Sequence, residues 1–241
     1  MKNVLVLGAS GNIAPNVTPG LESYYHLHLA DIKPHPSGKS IITVDMTSYE
    51  QVFEASRGMD AIINFTVLRG DAVQSFEVNT KGAYHMMKAA AEHGIKKVIQ
   101  TGPQYVRDGY DHDFDIDDPP PMPSGDYYHP TKYLGMEICK IYAREYGIQT
   151  ICFMFNGLGP KPTEPVTKQD FPSFTVVWED LQHACRLALE VESVPENFQA
   201  FNLLSYLAHG KYQIEKARII LGYAPLERLE DYFKRQEATP R

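Results

Sequence analysis

The segment Asn3 to Leu7 runs almost wholly apolar into Gly8, and the string LVLGASGNIA, Leu5 to Ala14, then sets Gly11 three residues on and a small Ala14 three further. A continuous apolar strand that feeds a glycine turn is the pattern of a buried parallel strand. Parallel strands need long crossovers, usually helical, so this one feature already commits the chain to layers of sheet and helix. The two glycines permit a tight turn and let backbone N–H groups approach a pyrophosphate at the start of the following helix, with Ala14 keeping that helix close to the sheet. Ser10, Asn12 and Ile13 line the same turn.

A second apolar run, Leu27 to Ala30, ends at Asp31, twenty residues beyond Gly11. A carboxylate there accepts hydrogen bonds from both adenosine ribose hydroxyls and repels a 2′-phosphate, which selects NAD over NADP. The plainer alternative is a carboxylate that caps a strand-to-loop turn. Further strands are expected at Ile41 to Val44, Ala61 to Phe65, Val98 to Thr101 and Thr150 to Phe155, and long helices at Asp71 to His93 and Tyr127 to Tyr146, closed by Gly94 and Gly147. The alternation predicts an α/β fold with a doubly wound parallel sheet of the Rossmann type. Asp45 and Met46 then flank the adenine, and Asn64, Phe65 and Thr66 run beneath the ribose and nicotinamide half, with Asn79 and Phe155 completing the cofactor contacts.

Beyond residue 156 the alternation weakens: a proline-bearing loop from Pro160 to Pro172, helices near Glu179 to Glu190 and Tyr212 to Leu221, and a strand near Ala200 to Leu204. Residues 1–156 are therefore expected to form the cofactor-binding domain. Residues 157–241 should form a small substrate-facing region packed on it, too short to be independent. Gly102 to Asp126, rich in Gly and Pro, should be a long functional loop.

The string YHPTK places Tyr128 and Lys132 one helical turn apart on one face. A phenol is a poor base at neutral pH, and a neighbouring ammonium favours its ionised form. The pair is thus a candidate acid/base with its helper, against the bland alternative of a surface tyrosine beside a solvated lysine; the upstream nucleotide motif favours the first.

With these segments in place, the chain resembles the extended NAD-dependent epimerase/dehydratase branch of the short-chain dehydrogenase/reductase superfamily. The resemblance rests on GASGNIA, on VNTKGAYHMMKAAAEHGIKKVI from Val78 to Ile99, on DDPPPMPSGDYYHPTK from Asp117 to Lys132 and on LGYAP from Leu221 to Pro225. LADI at Leu29 to Ile32 and GPKP at Gly159 to Pro162 are most similar to the uronate dehydrogenase group. The resemblance implies NAD as cofactor, Tyr128 and Lys132 as catalytic residues, and a Ser or Thr hydroxyl after the fifth strand. This chain departs there: TGPQYV puts Gly102 and Pro103 at the usual hydroxyl positions. Thr101 is the first candidate replacement, with Tyr105 and Gln104 behind it. Met154, Phe155 and Asn156 stand where an arginine commonly follows the sixth strand, and none follows Lys161 and Pro162, where the resemblance implies a binder of the uronate carboxylate. Arg69, Pro103, Gln104 and Asn156 are assigned to substrate, Arg69 with pairing to Asp71 as its alternative.

The implied activity is NAD-dependent oxidation of a hydroxyl of a small sugar, sugar acid or polyol. The alternatives are an epimerase or dehydratase that retains NAD, and a catalytically silent NAD sensor. A net charge of −7 without a dense basic cluster argues against nucleic acid. No apolar run is long enough for a membrane span, and the three scattered cysteines read as reduced core residues of a cytoplasmic protein. His26 and His28 share a strand face without a third ligand, and the acidic stretch Asp111, Asp113, Asp115, Asp117 and Asp118 lacks a calcium-loop pattern, so no metal is expected. Apolar outer faces on the two long helices predict a homodimer.

Overall fold

The computed structural model of the protein describes residues 1–102, 114–117, 125–155, 157–166, 175–208, 210–230 and 232. The chain begins with β1 (Asn3–Leu7), whose last four residues are fully buried, and turns through Gly8 into α1 (Ala14–Val17). This helix is a single turn. Pro15 suits a helix start, but Pro19 has no N–H to continue one, and the chain passes into a 3-10 turn at Thr18–Gly20. It then forms β2 (His26–Asp31), a β3 of only two residues (Ile42–Thr43), α2 (Tyr49–Ser56) and β4 (Ala61–Asn64).

The helix expected from Asp71 to His93 is present but not uniform. Asp71 caps α3 (Ala72–Ser75) by accepting the Gln74 N–H at 2.8 Å; a π-helical turn, Phe76–Lys81, follows, and α4 (Gly82–His93) ends at Gly94. After β5 (Lys97–Thr101) come α5 (Tyr128–Tyr146), β6 (Gln149–Met154), the short parallel pair β7 (Gly157–Gly159) and β8 (Thr175–Val177), α6 (Trp178–Glu190), β9 (Phe198–Asn202) and α7 (Glu215–Leu221). Most of the loop expected from Gly102 to Asp126 lies outside the described residues. Its middle, at Ile116, bridges to Tyr212.

Among the described residues the main sheet has seven parallel strands in the order β3-β2-β1-β4-β5-β6-β9. Strand β9 pairs with β6 from Thr150 and Phe198 to Met154 and Asn202, so the chain beyond residue 156 supplies the seventh strand of the central sheet. Helices α2, α4 and α5 pack together on one face, and α1 and α6 on the other. Ile62, Ile63, Val98, Ile99, Ile151, Phe153 and Phe201 are fully buried between these layers. The strand order reverses between β1 and β4, where connections leave in opposite directions and open a crevice at the carboxyl ends of the strands.

Helix α5 reaches the π turn through Gly135. A Cβ at that position would lie 2.3 Å from the Asn79 carbonyl oxygen and 3.3 Å from the Ala83 Cβ, so only a glycine allows this approach.

Candidate functional site

The predicted nucleotide residues converge at the crevice. Gly8 adopts φ +77°, and a Cβ there would meet the Thr66 backbone nitrogen at 2.7 Å, so the turn after β1 is pressed against the end of β4. Gly8 and Ala9 both donate to the Ala30 carbonyl, and Gly11 donates back to Gly8 at 3.1 Å. Asp31 is tied into the same turn: one carboxylate oxygen accepts the Ser10 N–H at 2.9 Å and the other the Lys33 N–H at 3.0 Å, while the Ser10 hydroxyl donates to the Lys33 carbonyl. Each carboxylate oxygen retains a second acceptor site. Asp31 is thus both the latch of the glycine turn and a candidate ribose acceptor. Because α1 is one turn long, an anion at the turn meets local N–H groups rather than a developed helix dipole.

The other predicted cofactor residues divide. Asn64 is buried, accepts from the Thr66 N–H at 3.0 Å and the Thr66 hydroxyl at 2.6 Å, and donates to Gln100 at 2.8 Å, so it shapes the end of β4. Phe65 and Phe155 are buried at the ends of β4 and β6. Asp45 accepts from Thr47, whereas the Met46 side chain is buried beside Gly82 and its carbonyl faces the His85 ring at 2.9 Å. Asn79 spends its amide within the protein: its oxygen accepts the Leu68 N–H at 2.9 Å, and its nitrogen donates to the Leu68 carbonyl and the Thr131 hydroxyl. It fastens the 66–71 loop to α5 rather than facing the crevice.

At the start of α5 the Tyr128 hydroxyl accepts a hydrogen bond from Arg69 at 3.0 Å, and the guanidinium carbon sits 4.4 Å from the centre of the tyrosine ring. Tyr127 points elsewhere and donates to the Arg69 carbonyl at 2.7 Å. One turn on, Lys132 is 2% exposed, with its ammonium 3.5 Å from the Thr66 carbonyl; burial pushes its pKa down to about 8. The expected alternative for Arg69, pairing with Asp71, is not realised, since Asp71 caps α3.

Thr101 departs from expectation. It pairs with Phe153, and side-chain alternation puts it on the face opposite Gln100 and Cys152. Cys152 faces the same side as Lys132, which feels its thiol electrostatically. Thr101 is therefore turned away from Tyr128. Nor does residue 102 have room for a side chain, since a Cβ would meet the Cys152 Sγ and Met154 Cγ, each at 2.9 Å. Pro103, Gln104, Tyr105 and Asn156 lie outside the described residues. Cys139, Cys152 and Cys185 are free and buried, and burial pushes all three thiols up, Cys152 to about 12. No group of three or more His, Cys, Asp or Glu among the described residues is arranged to hold a metal, and no described helix is long and apolar enough to cross a membrane.

A glycine turn at the strand-order reversal, an acid at the tip of β2 and a Tyr/Lys pair across the crevice define a Rossmann-type dinucleotide-binding protein. Residues 4–175 match the NAD dependent epimerase/dehydratase family, and the chain belongs to it. The residues present fit the NAD of that family, with a turn too close-packed to carry a Cβ at Gly8 and a carboxylate with spare acceptor sites beside it. Among curated proteins the chain is 29% identical over 168 residues to a uronate dehydrogenase of Pseudomonas putida, covering 66% of this chain and 62% of that protein. It is 28% identical over 169 residues to a uronate dehydrogenase of Pseudomonas syringae pv. tomato, covering 66% and 60%. The matches thus span less than two thirds of either relative. In fold the chain is similar to the uronate dehydrogenase of Agrobacterium tumefaciens, with TM-score 0.78 and 19% identity over 95% of this chain and 86% of that one.

Three residues of the site carried no sequence signal of their role. Thr131 and Gly135 lie on the α5 face against the π turn, and Tyr127 holds the backbone of Arg69. Their spacing four apart was visible, but its use depends on a π turn that no sequence pattern announced.

Proposed function

We propose that the protein oxidises a hydroxyl-bearing carbon of a sugar acid or a related polyhydroxylated small molecule, with NAD as the acceptor of hydride. The observation that carries this reading is the pairing of Tyr128, at the mouth of the crevice, with a buried Lys132 one turn along α5. Tyr128 holds the position from which a phenol oxygen exchanges a proton with a substrate hydroxyl. In this reading Lys132, lodged at the end of β4 beside Thr66, holds the cofactor ribose. Asp31 accepts the adenosine ribose hydroxyls and disfavours NADP. The resemblance to uronate dehydrogenases over two thirds of the chain supports a sugar acid as substrate class.

The test is a screen of sugars, sugar acids and polyols for formation of NADH. Net NADH supports the dehydrogenase. Isomerised product without net NADH replaces it with an epimerase. A silent NAD sensor is the second reading, favoured by one observation: residue 102 has no space for a side chain and Thr101 faces away. NAD binding without turnover of any of these compounds would establish it.

The protein acts as a homodimer in this reading, joined through α4 and α5. Tyr84, Leu134, Ile141 and Tyr146 are exposed on those helices, and Tyr142 stacks on Tyr146 with ring centres 5.3 Å apart, an apolar face suited to a two-fold partner. Three free thiols suit a reducing compartment such as the cytoplasm.

A further inference from the structure

Removing a hydroxyl proton to Tyr128 and the carbon-bound hydride to NAD converts C–OH to C=O. Between those transfers negative charge gathers on the substrate oxygen. A donor aimed at that oxygen lowers the barrier far more than the same donor does in water. The described residues narrow the choice. Thr101 faces the opposite side of the sheet, residue 102 is glycine, and the Lys132 ammonium lies against the Thr66 carbonyl.

We infer that Arg69 is that donor: its guanidinium, bonded to the Tyr128 hydroxyl, binds the reacting oxygen alongside the tyrosine. This rests on the dehydrogenase reading above and narrows the expected substrate contact of Arg69 to the reacting atom itself. The geometry is specific. One guanidinium nitrogen is 3.0 Å from the Tyr128 oxygen while the group lies along the ring, so a substrate oxygen hydrogen-bonded to Tyr128 comes within reach of the remaining N–H groups of the fork.

Arg69 is on the surface, yet its backbone is anchored. Tyr127 donates to its carbonyl, Asn79 grips both polar groups of Leu68, and Asp71 is fixed as the cap of α3. The other charged groups near Tyr128 are engaged: Lys132 is buried at Thr66, and His129, with its ring centre 5.0 Å from that of Tyr128, pairs with Asp126.

The experiment compares the unmodified protein with Arg69→Gln and Arg69→Lys, using an acidic sugar and its uncharged analogue as substrates, each in the presence of NAD. A donor to the reacting oxygen predicts that Arg69→Gln lowers kcat by roughly 10²–10³ on both substrates, with little change in KM. Arg69→Lys, which keeps the charge but not the fork, should recover part of the loss and serves as the second variant should Arg69→Gln not fold. NAD affinity, measured by titration, should be unchanged in both variants. Normal kcat in a folded variant overturns the inference and leaves the dehydrogenase reading standing. A rise in KM confined to the acidic sugar also overturns it, in favour of a carboxylate clamp. No turnover by the unmodified protein removes both readings together.

Discussion

The two ends of the crevice are built by different means. At the nucleotide end the working groups are largely backbone amides of the Gly8 turn, set by a positive φ, strand ends and a carboxylate that bonds to the turn itself. At the proposed acid/base end the groups are side chains, and beyond the helix they share, the contacts that fix them are remote in sequence: Arg69 reaches Tyr128 across 59 residues, and Asn79 reaches Thr131 across 52. The first end is specified by a short motif. The second is specified by packing between a loop, a π turn and a helix, so a distant substitution can displace it.

Four substitutions sharpen that contrast. The largest effect is expected at Tyr128, whose change to Phe keeps the ring and removes the group proposed to exchange the proton. Turnover should fall by roughly 10²–10⁴ with NAD affinity nearly intact, and steady-state kinetics beside an NAD titration would check it; retained turnover would end the acid/base assignment.

Lys132→Met should come next and should act in two directions. The folded protein holds this lysine at about 8 and the unfolded chain at its ordinary value of 10.5, so the unfolded state binds more protons between those limits, and stability should rise through that pH window. Below it the buried charge costs on the order of 3 kcal/mol. Lys132→Met should therefore raise Tm at neutral pH and flatten the rise in stability above pH about 8, while lowering turnover by less than Tyr128→Phe does. Thermal melts across pH would show it, and a lowered Tm at neutral pH would refute it.

At the nucleotide end, Asp31→Ala removes the latch and the proposed ribose acceptor together. NAD affinity should drop roughly ten- to hundredfold, as expected for charge-assisted hydrogen bonds of about 1.5–3 kcal/mol, and the preference over NADP should narrow. Equal discrimination before and after the change, by titration with both cofactors, would show that Asp31 is only a structural cap.

The smallest effect is expected first in stability. Gly135→Ala forces a methyl against the Asn79 carbonyl and should cost about 1–3 kcal/mol in denaturant unfolding. If Tyr128 is placed by this contact, the variant should also lose turnover at a temperature where it is fully folded; unchanged stability would mean that the π turn yields without cost.

These differences explain what the sequence could announce. The Gly8 turn and Asp31 could be placed because each sits at a strand end and acts through neighbours in its own βα unit. Tyr128 and Lys132 could be paired because helical periodicity aligns residues four apart. Asn79 was expected at the cofactor, and no sequence pattern could show that its amide bonds Leu68 and Thr131 through the π turn. The facing of Thr101 could have been read from strand parity: register with Phe153 puts it on the side of the sheet opposite Gln100 and Cys152. The strand expected near Ala200 to Leu204 is present as β9, but its place as seventh strand of the central sheet could not be read. Phe198–Asn202 follows an irregular stretch, and pairing across nearly fifty residues to β6 leaves no local mark.

The shortness of β3 bears on solubility. It pairs with β2 only at Ala30 and Asp31, so among the described residues the outer edge of β2 from His26 to Leu29 has no strand beside it. Bare parallel edges invite other chains to add on. This one opens into a groove lined by His26, His28, Ser40 and the Lys39–Glu22 ion pair. A strand arriving from another molecule would have to strip water from that ion pair and from both imidazoles before it gained its first backbone hydrogen bond, a cost that opposes such an addition.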